Sequence, residues 1–135
     1  MAASHETSIR VYYEDTDWSG RVYHANYLRF MERGRTEFLR AHGIVQSTLE
    51  RDGGGIVFVV GRIAIEFVRP AAMDDLLEVA TQVALARGPI VRLQQEVCRE
   101  GEVLVRAEVT VVALREGKMV RLPPEIAKAF ADRSS

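Results

Sequence analysis

The chain has 135 residues, 47% of them hydrophobic, and a formal net charge of −1. That length supports one domain with a real core, the apolar content excludes a disordered chain, and the near-neutral charge argues against a nucleic-acid or membrane-surface partner recruited by bulk charge. No apolar run reaches the roughly 18 residues of a membrane span, the opening MAASHETS lacks a basic-then-apolar leader, and the single Cys98 has no internal disulfide partner, so a cytoplasmic location without membrane insertion is expected.

Residues 1–7 are small and polar and are expected to be flexible, ahead of a single domain over 8–135. Apolar Ile9, Val11 and Tyr13 alternate with Arg10 and Tyr12, which predicts a strand over 9–13. An Asp-rich turn follows, in which Gly20 is able to take a positive φ. A long amphipathic helix is predicted over about 25–42, with Tyr27, Met31, Gly34 and Phe38 on its core face and Leu28 and Leu39 beside them. Gly34 weakens that helix by about 1 kcal/mol relative to Ala, which predicts close approach to another element. The connector over 44–55 holds a short helical piece at 45–51.

From Ile56 the period switches to two. A long strand is stopped by Pro70, with Val57, Val59, Ile63, Ile65 and Phe67 predicted on one face and Phe58, Val60, Arg62, Ala64, Glu66 and Val68 on the other. Leu77, Val79, Thr81, Val83 and Leu85 predict the next strand, Val91 to Val97 another, and Val103 to Val111 the last long one. A hairpin turn at Glu116-Gly117-Lys118 leads into 119–122, and a short helix over 125–131 ends the chain. Short turns imply antiparallel neighbours, so the fold class is α+β, with one helix across the concave face of a curved sheet. The sheet is long for its single covering helix, so some apolar edge is left for a second copy.

The chemistry concentrates in the turn over residues 13–26, YEDTDWSGRVYHAN. It holds Asp15, Asp17 and His24 at the entrance of the helix, whose first N–H groups have no partner within the helix and face outward. The two aspartates also suit plain turn-forming or capping roles, and His24 suits a capping or packing one. A calcium-loop reading of Asp15-Thr16-Asp17-Trp18-Ser19-Gly20 fails at the twelfth position, which is Asn26 instead of Glu. His5 and His42 sit apart from this turn. No Gly-rich phosphate loop, zinc-type Cys/His spacing or Gly-x-Ser-x-Gly elbow is present, which leaves carboxylate chemistry.

The run Tyr13-x-x-x-Asp17-x-x-Gly20-x-Val22-Tyr23-His24-Ala25-Asn26-Tyr27, followed by Leu28-Arg29-Phe30-Met31-Glu32, resembles the hot-dog-fold acyl-CoA thioesterases. Phe67-Val68-Arg69-Pro70-Ala71 with Asp74-Asp75-Leu76-Leu77 resembles the same group, in particular its YbgC type, which is associated with the Tol–Pal system and related to 4-hydroxybenzoyl-CoA thioesterase. The resemblance spans about residues 8–122. It implies a curved antiparallel sheet wrapped around the central helix, in homodimers or homotetramers with active sites between subunits. It implies hydrolysis of an acyl-CoA thioester to free acid and coenzyme A, with no cofactor beyond the coenzyme A of the substrate and with acyl carrier protein as an alternative carrier. Asp17 matches the catalytic carboxylate, as nucleophile or general base, and Tyr13 and His24 match the positions that assist it.

On this reading N–H groups around Tyr23 and Ala25 hold the oxyanion, and Tyr27 and Met31 line the acyl pocket. Arg69, Arg87 and Arg92 are candidates for the coenzyme A phosphates, and Asp15 supports the turn. Trp18 and Ser19 depart from the small residues that often follow the family's catalytic Asp, so Trp18 is expected to narrow or line the acyl pocket. The competing readings are a non-hydrolytic acyl-CoA or acyl-carrier-protein binding module, including a partner of an envelope complex, and a dehydratase, whose His motif with nearby Pro and Gly is absent.

Overall fold

The core is built on one face of a single long helix. The computed structural model describes residues 5–52 and 54–131. Helix α1, Asn26–Ala41, buries Tyr27, Phe30, Met31, Gly34, Phe38 and Leu39, while Leu28 stays exposed. These positions recur every three to four residues and form one stripe. The stripe lies on a sheet of β1 (His5–Arg10), β2 (Ile56–Phe67), β3 (Leu76–Arg87), β4 (Ile90–Arg99), β5 (Glu102–Arg115) and β6 (Lys118–Met119). All pairings are antiparallel, in the order β1-β3-β4-β5-β2, with β6 added to β5. Two short helices, α2 (Gln46–Asp52) and α3 (Pro124–Ala131), complete the chain. This is the expected α+β layering.

Gly34 is where helix and sheet meet most closely. A Cβ there would fall 2.6 Å from Val79 Cγ1 and 3.1 Å from Gln95 Nε2. The helix tolerates a glycine in its interior because a side chain would push it off β3. Beneath it the sheet carries two buried polar residues, Thr81 and Gln95, and Gln95 Nε2 donates to Thr81 Oγ1 and to the Met31 carbonyl, both at 2.9 Å.

Three details of the strands differ from the simple alternation. β1 begins at His5 and leaves the ladder after Arg10, because its extent is set by pairing with β3 from His5↔Thr81 to Arg10↔Leu76. Of the N-terminal stretch, residues 1–4 lie outside the described residues. In β2 a bulge between Val60 and Arg62 inserts Gly61, so Phe58 and Val60 oppose Ala113 and Val111 while Ile63 and Ile65 oppose Val109 and Ala107. Directly opposed residues share a face, so Phe58 and Val60 join Ile63, Ile65 and Phe67 on the core side, and Val57 and Val59 do not. An extra residue in one strand reverses which side chains point inward. A second bulge between Val83 and Leu85 places Ala86 opposite buried Val91, and Ala86 takes the core position expected of Leu85.

Among the described residues β2 ends the sheet and pairs only with β5. Its outer edge runs for about 40 Å at about 3.3 Å per residue, and Val59, Val60 and Phe67 on it are exposed. That is the uncovered apolar edge expected from the strand count. Among the described residues no helix is long and apolar enough to cross a membrane.

Candidate active site

The turn before α1 is shaped by its two aspartates, which have opposite environments. Asp15 is buried, with Oδ2 accepting the Tyr12 N–H at 2.9 Å and Oδ1 accepting from Asn26 Nδ2 at 2.6 Å. Its carbonyl also accepts the Tyr23 N–H at 3.1 Å. One side chain therefore joins the end of β1, a 3-10 turn at Tyr13–Asp15 and the first residue of α1. Both Asp15 oxygens are thus engaged in holding the turn together.

Asp17 is exposed at the mouth of a cleft of about 450 Å³. Its Oδ1 accepts the Ser19 N–H at 2.8 Å and the Ser19 hydroxyl at 2.5 Å, and Gly20 closes the loop at φ +81°. The hydroxyl, and after it the N–H, holds the Asp17 carboxyl below the usual carboxylate range. Both bonds go to Oδ1, so Oδ2 has no partner among the described residues. Removing the hydroxyl in Ser19→Ala should raise the Asp17 pKa toward its ordinary value. The acid limb of a pH–activity profile that depends on ionised Asp17 should then move to higher pH. A profile unmoved by the substitution would mean that another group sets that limb.

The opposite wall of the cleft comes from Phe67, Val68, Arg69 and Pro70. Two backbone bonds carry this distant segment to the turn, Val22 N–H to the Ala71 carbonyl at 2.9 Å and Met73 N–H to the Gly20 carbonyl at 3.3 Å, and together they form the Arg21↔Ala72 bridge. Buried Tyr27 fixes it from below, its hydroxyl accepting the Ala71 N–H at 2.9 Å. His24 stacks on Phe67 with ring centroids 4.5 Å apart, and so is held in the cleft by an aromatic contact and not as a helix cap.

The helix entrance leaves two donors unspent. The Asn26, Tyr27 and Leu28 N–H groups bond back to the carbonyls of Tyr23, His24 and Ala25, and the Tyr23 N–H is taken by Asp15. The N–H groups of His24 and Ala25 have no acceptor among the described residues. Unpartnered N–H groups at a helix entrance carry partial positive charge, and His24 is among the residues that line the cleft with Asp17.

Asp17, Tyr23, His24, Tyr27 and Arg69 thus line one cleft, and Ala25 adjoins it as the residue before α1. The other expected residues lie elsewhere. Tyr13 is 79% exposed on the 3-10 turn, and Trp18 is 98% exposed and does not line the cleft. Met31 is fully buried in the core. Arg87 sits at the far end of β3, and Arg92 is on β4 beside Glu108 at 3.8 Å. Within the cleft Arg69 is paired with Glu102 at 3.1 Å. Arg21 and Ser19 also line it. Ser19 had a local signal, a hydroxyl two residues after an aspartate. Arg21 had none, since the bridge to Ala72 places it.

A family model for the thioesterase-like superfamily matches residues 11–130. The chain belongs to that superfamily. Within it, the chain is 44% identical over 124 residues to an acyl-CoA thioesterase YbgC of Haemophilus influenzae, covering 90% of each. The crystal structure of a probable thioesterase from Bartonella henselae matches with a TM-score of 0.87 at 42% identity, covering 90% of this chain and 100% of that one. A Thermus thermophilus thioesterase complexed with coenzyme A and Zn matches with a TM-score of 0.81 at 26% identity, covering 93% and 90%. This thioesterase-superfamily chain is a thioester hydrolase with the hot-dog fold. The segment from Asp17 to Pro70 that builds the cleft falls inside the matched span.

Proposed function

We propose that this chain hydrolyses acyl-CoA thioesters at the Asp17 cleft. The observation that carries the reading is the Asp17 Oδ2, unengaged among the described residues, in a cleft lined by His24 at the helix entrance, where the His24 and Ala25 N–H groups have no acceptor among the described residues. A thioester needs both: a group that delivers an oxygen to the carbonyl carbon, and donors for the oxyanion that results. The thioester carbonyl oxygen takes the two N–H groups. Asp17 then acts in one of two ways. As nucleophile, Oδ2 bonds to the acyl carbon, the C–S bond breaks, coenzyme A leaves as thiolate, and water hydrolyses the mixed anhydride. As general base, Oδ2 takes a proton from a water that attacks the same carbon. His24, stacked on Phe67, orients the water or the carboxylate. Tyr13 would join the cluster only from a second copy, because in its own chain it lies outside the cleft.

Arg21 and Arg69 at the cleft supply cations for the phosphates of coenzyme A, Arg69 by exchanging its Glu102 partner. The names of the YbgC relatives support an acyl-CoA substrate. The open β2 edge supports a homodimer formed by joining two sheets. The test is thiol release from a panel of acyl-CoAs differing in length and aromaticity. Turnover of at least one class is expected. No turnover across the panel, with hydrolysis of an acyl carrier protein thioester, would move the reading to that carrier. Binding without hydrolysis of either would overturn it in favour of a binding module.

A further inference from the structure

A second cleft lies at the other end of α1. It holds about 330 Å³, and its walls are mostly apolar, with Phe58 and Val60 from β2, Val91 and Leu93 from β4 and Phe130 from α3. One cation is set in them. Arg35 is half-buried and lines this cleft, and no carboxylate among the described residues pairs with it. Glu32, one turn earlier on the same helix, also lines the cleft and acts on the Arg35 charge through space without a hydrogen bond. The single hydrogen bond of Arg35 among the described residues runs from Nη1 to Gln95 Oε1 at 3.1 Å. Gln95 cannot turn, because its Nε2 is committed to the Met31 carbonyl and Thr81 Oγ1 beneath Gly34. The guanidinium is therefore held in one orientation with most of its N–H groups unspent. Glu32 offsets this charge only through space, so the unspent N–H groups leave room for an acceptor from outside the chain.

Both clefts lie between α1 and β2, one toward each end. Tyr27 and Phe67 border the first, Arg35 and Phe58 the second. Arg35 is eight residues beyond Tyr27, or about 12 Å along the helix axis. We propose that the acyl group of the substrate runs along this side of α1 from Asp17 to the second cleft, and that Arg35 binds a carboxylate at its far end. The preferred substrates are then medium-chain acyl-CoAs whose acyl group ends in a second carboxylate. This rests on the thioesterase reading. The apolar walls suit a methylene chain, and the planar fork of an arginine suits a carboxylate. The phosphates of coenzyme A would call for several cations, and the cleft lining holds one.

The experiment compares thiol release from decanoyl-CoA and dodecanoyl-CoA with release from the mono-CoA thioesters of decanedioic and dodecanedioic acids. Wild type, Arg35→Met and Arg35→Lys are assayed side by side, with melting curves and light scattering as controls. Wild type should favour the dicarboxylic series in kcat/KM by roughly tenfold or more. Arg35→Met should lose that preference through KM while still hydrolysing the neutral series, and Arg35→Lys should keep part of it. Equal handling of both series by wild type would overturn the proposal and leave the thioesterase reading intact. So would a Met variant that loses both series alike, whether folded as before or dissociated, since Arg35 would then serve the fold or a contact between copies. Wild type inactive on every acyl-CoA would overturn the thioesterase reading, and this proposal with it.

Discussion

Asp17→Asn is expected to lower kcat for acyl-CoA hydrolysis by about 10³-fold or more, with the melting temperature unchanged to within about 2 °C. The amide is nearly isosteric, and its oxygen can still accept from the Ser19 N–H and hydroxyl that now bond to Oδ1. What it loses is the reactive oxygen. An amide nitrogen in place of Oδ2 neither attacks an acyl carbon nor takes a proton from water. Stability should hold because Asp17 is exposed and bonds only within its own loop. Steady-state thiol release beside a melting curve checks both halves. Equal turnover by variant and wild type would mean that the catalytic carboxylate has been placed wrongly. Loss of turnover together with a large drop in melting temperature would mean that Asp17 serves the fold.

Asp15→Ala should give the opposite signature. Its two carboxylate bonds, to the Tyr12 N–H and to Asn26 Nδ2, link three segments in a buried setting. Removing the acceptor leaves both donors without a partner, at a cost of about 2–4 kcal/mol, or about 10 °C in melting temperature. Activity should fall as well, because the same side chain ties the turn carrying Asp17 to the start of α1. At temperatures well below the lowered midpoint, much of that activity should remain, since Asp17 and the N–H groups of His24 and Ala25 are still present. A variant as stable as wild type but inactive at every temperature would assign Asp15 to the chemistry.

The contrast between these aspartates marks the limit of local reading. Two residues apart in a polar turn, they look equivalent by spacing, and both suit a turn. The motif resemblance pointed to Asp17, and the structure supplies the physical difference. Asn26, eleven positions along, closes over Asp15 and buries it, while the exposed Asp17 carboxylate takes its hydrogen bonds among the described residues from Ser19. Burial depends on what folds back over a residue, and spacing does not contain that.

The amino-acid sequence alone determined the element order, the core face of α1 and the antiparallel sheet, because helical and strand periods follow from local geometry. It also predicted the close approach at Gly34, because a helix rarely accepts a glycine in its interior without a packing reason. It missed the side-chain faces of β2 before Gly61 and of β3 after Ala84. A bulge there is decided by the partner strand, and a single extra residue inverts every position on one side of it. Only the tertiary structure decided that Phe67, Val68 and Arg69 wall the Asp17 cleft, that Arg87 and Arg92 stand away from it, and that Arg35 lines a mostly apolar cavity with one hydrogen bond among the described residues. Each of these follows from sheet register and from backbone bonds between segments some fifty residues apart, such as Val22 to Ala71. Such contacts form when the chain closes on itself, and no window of sequence holds both partners.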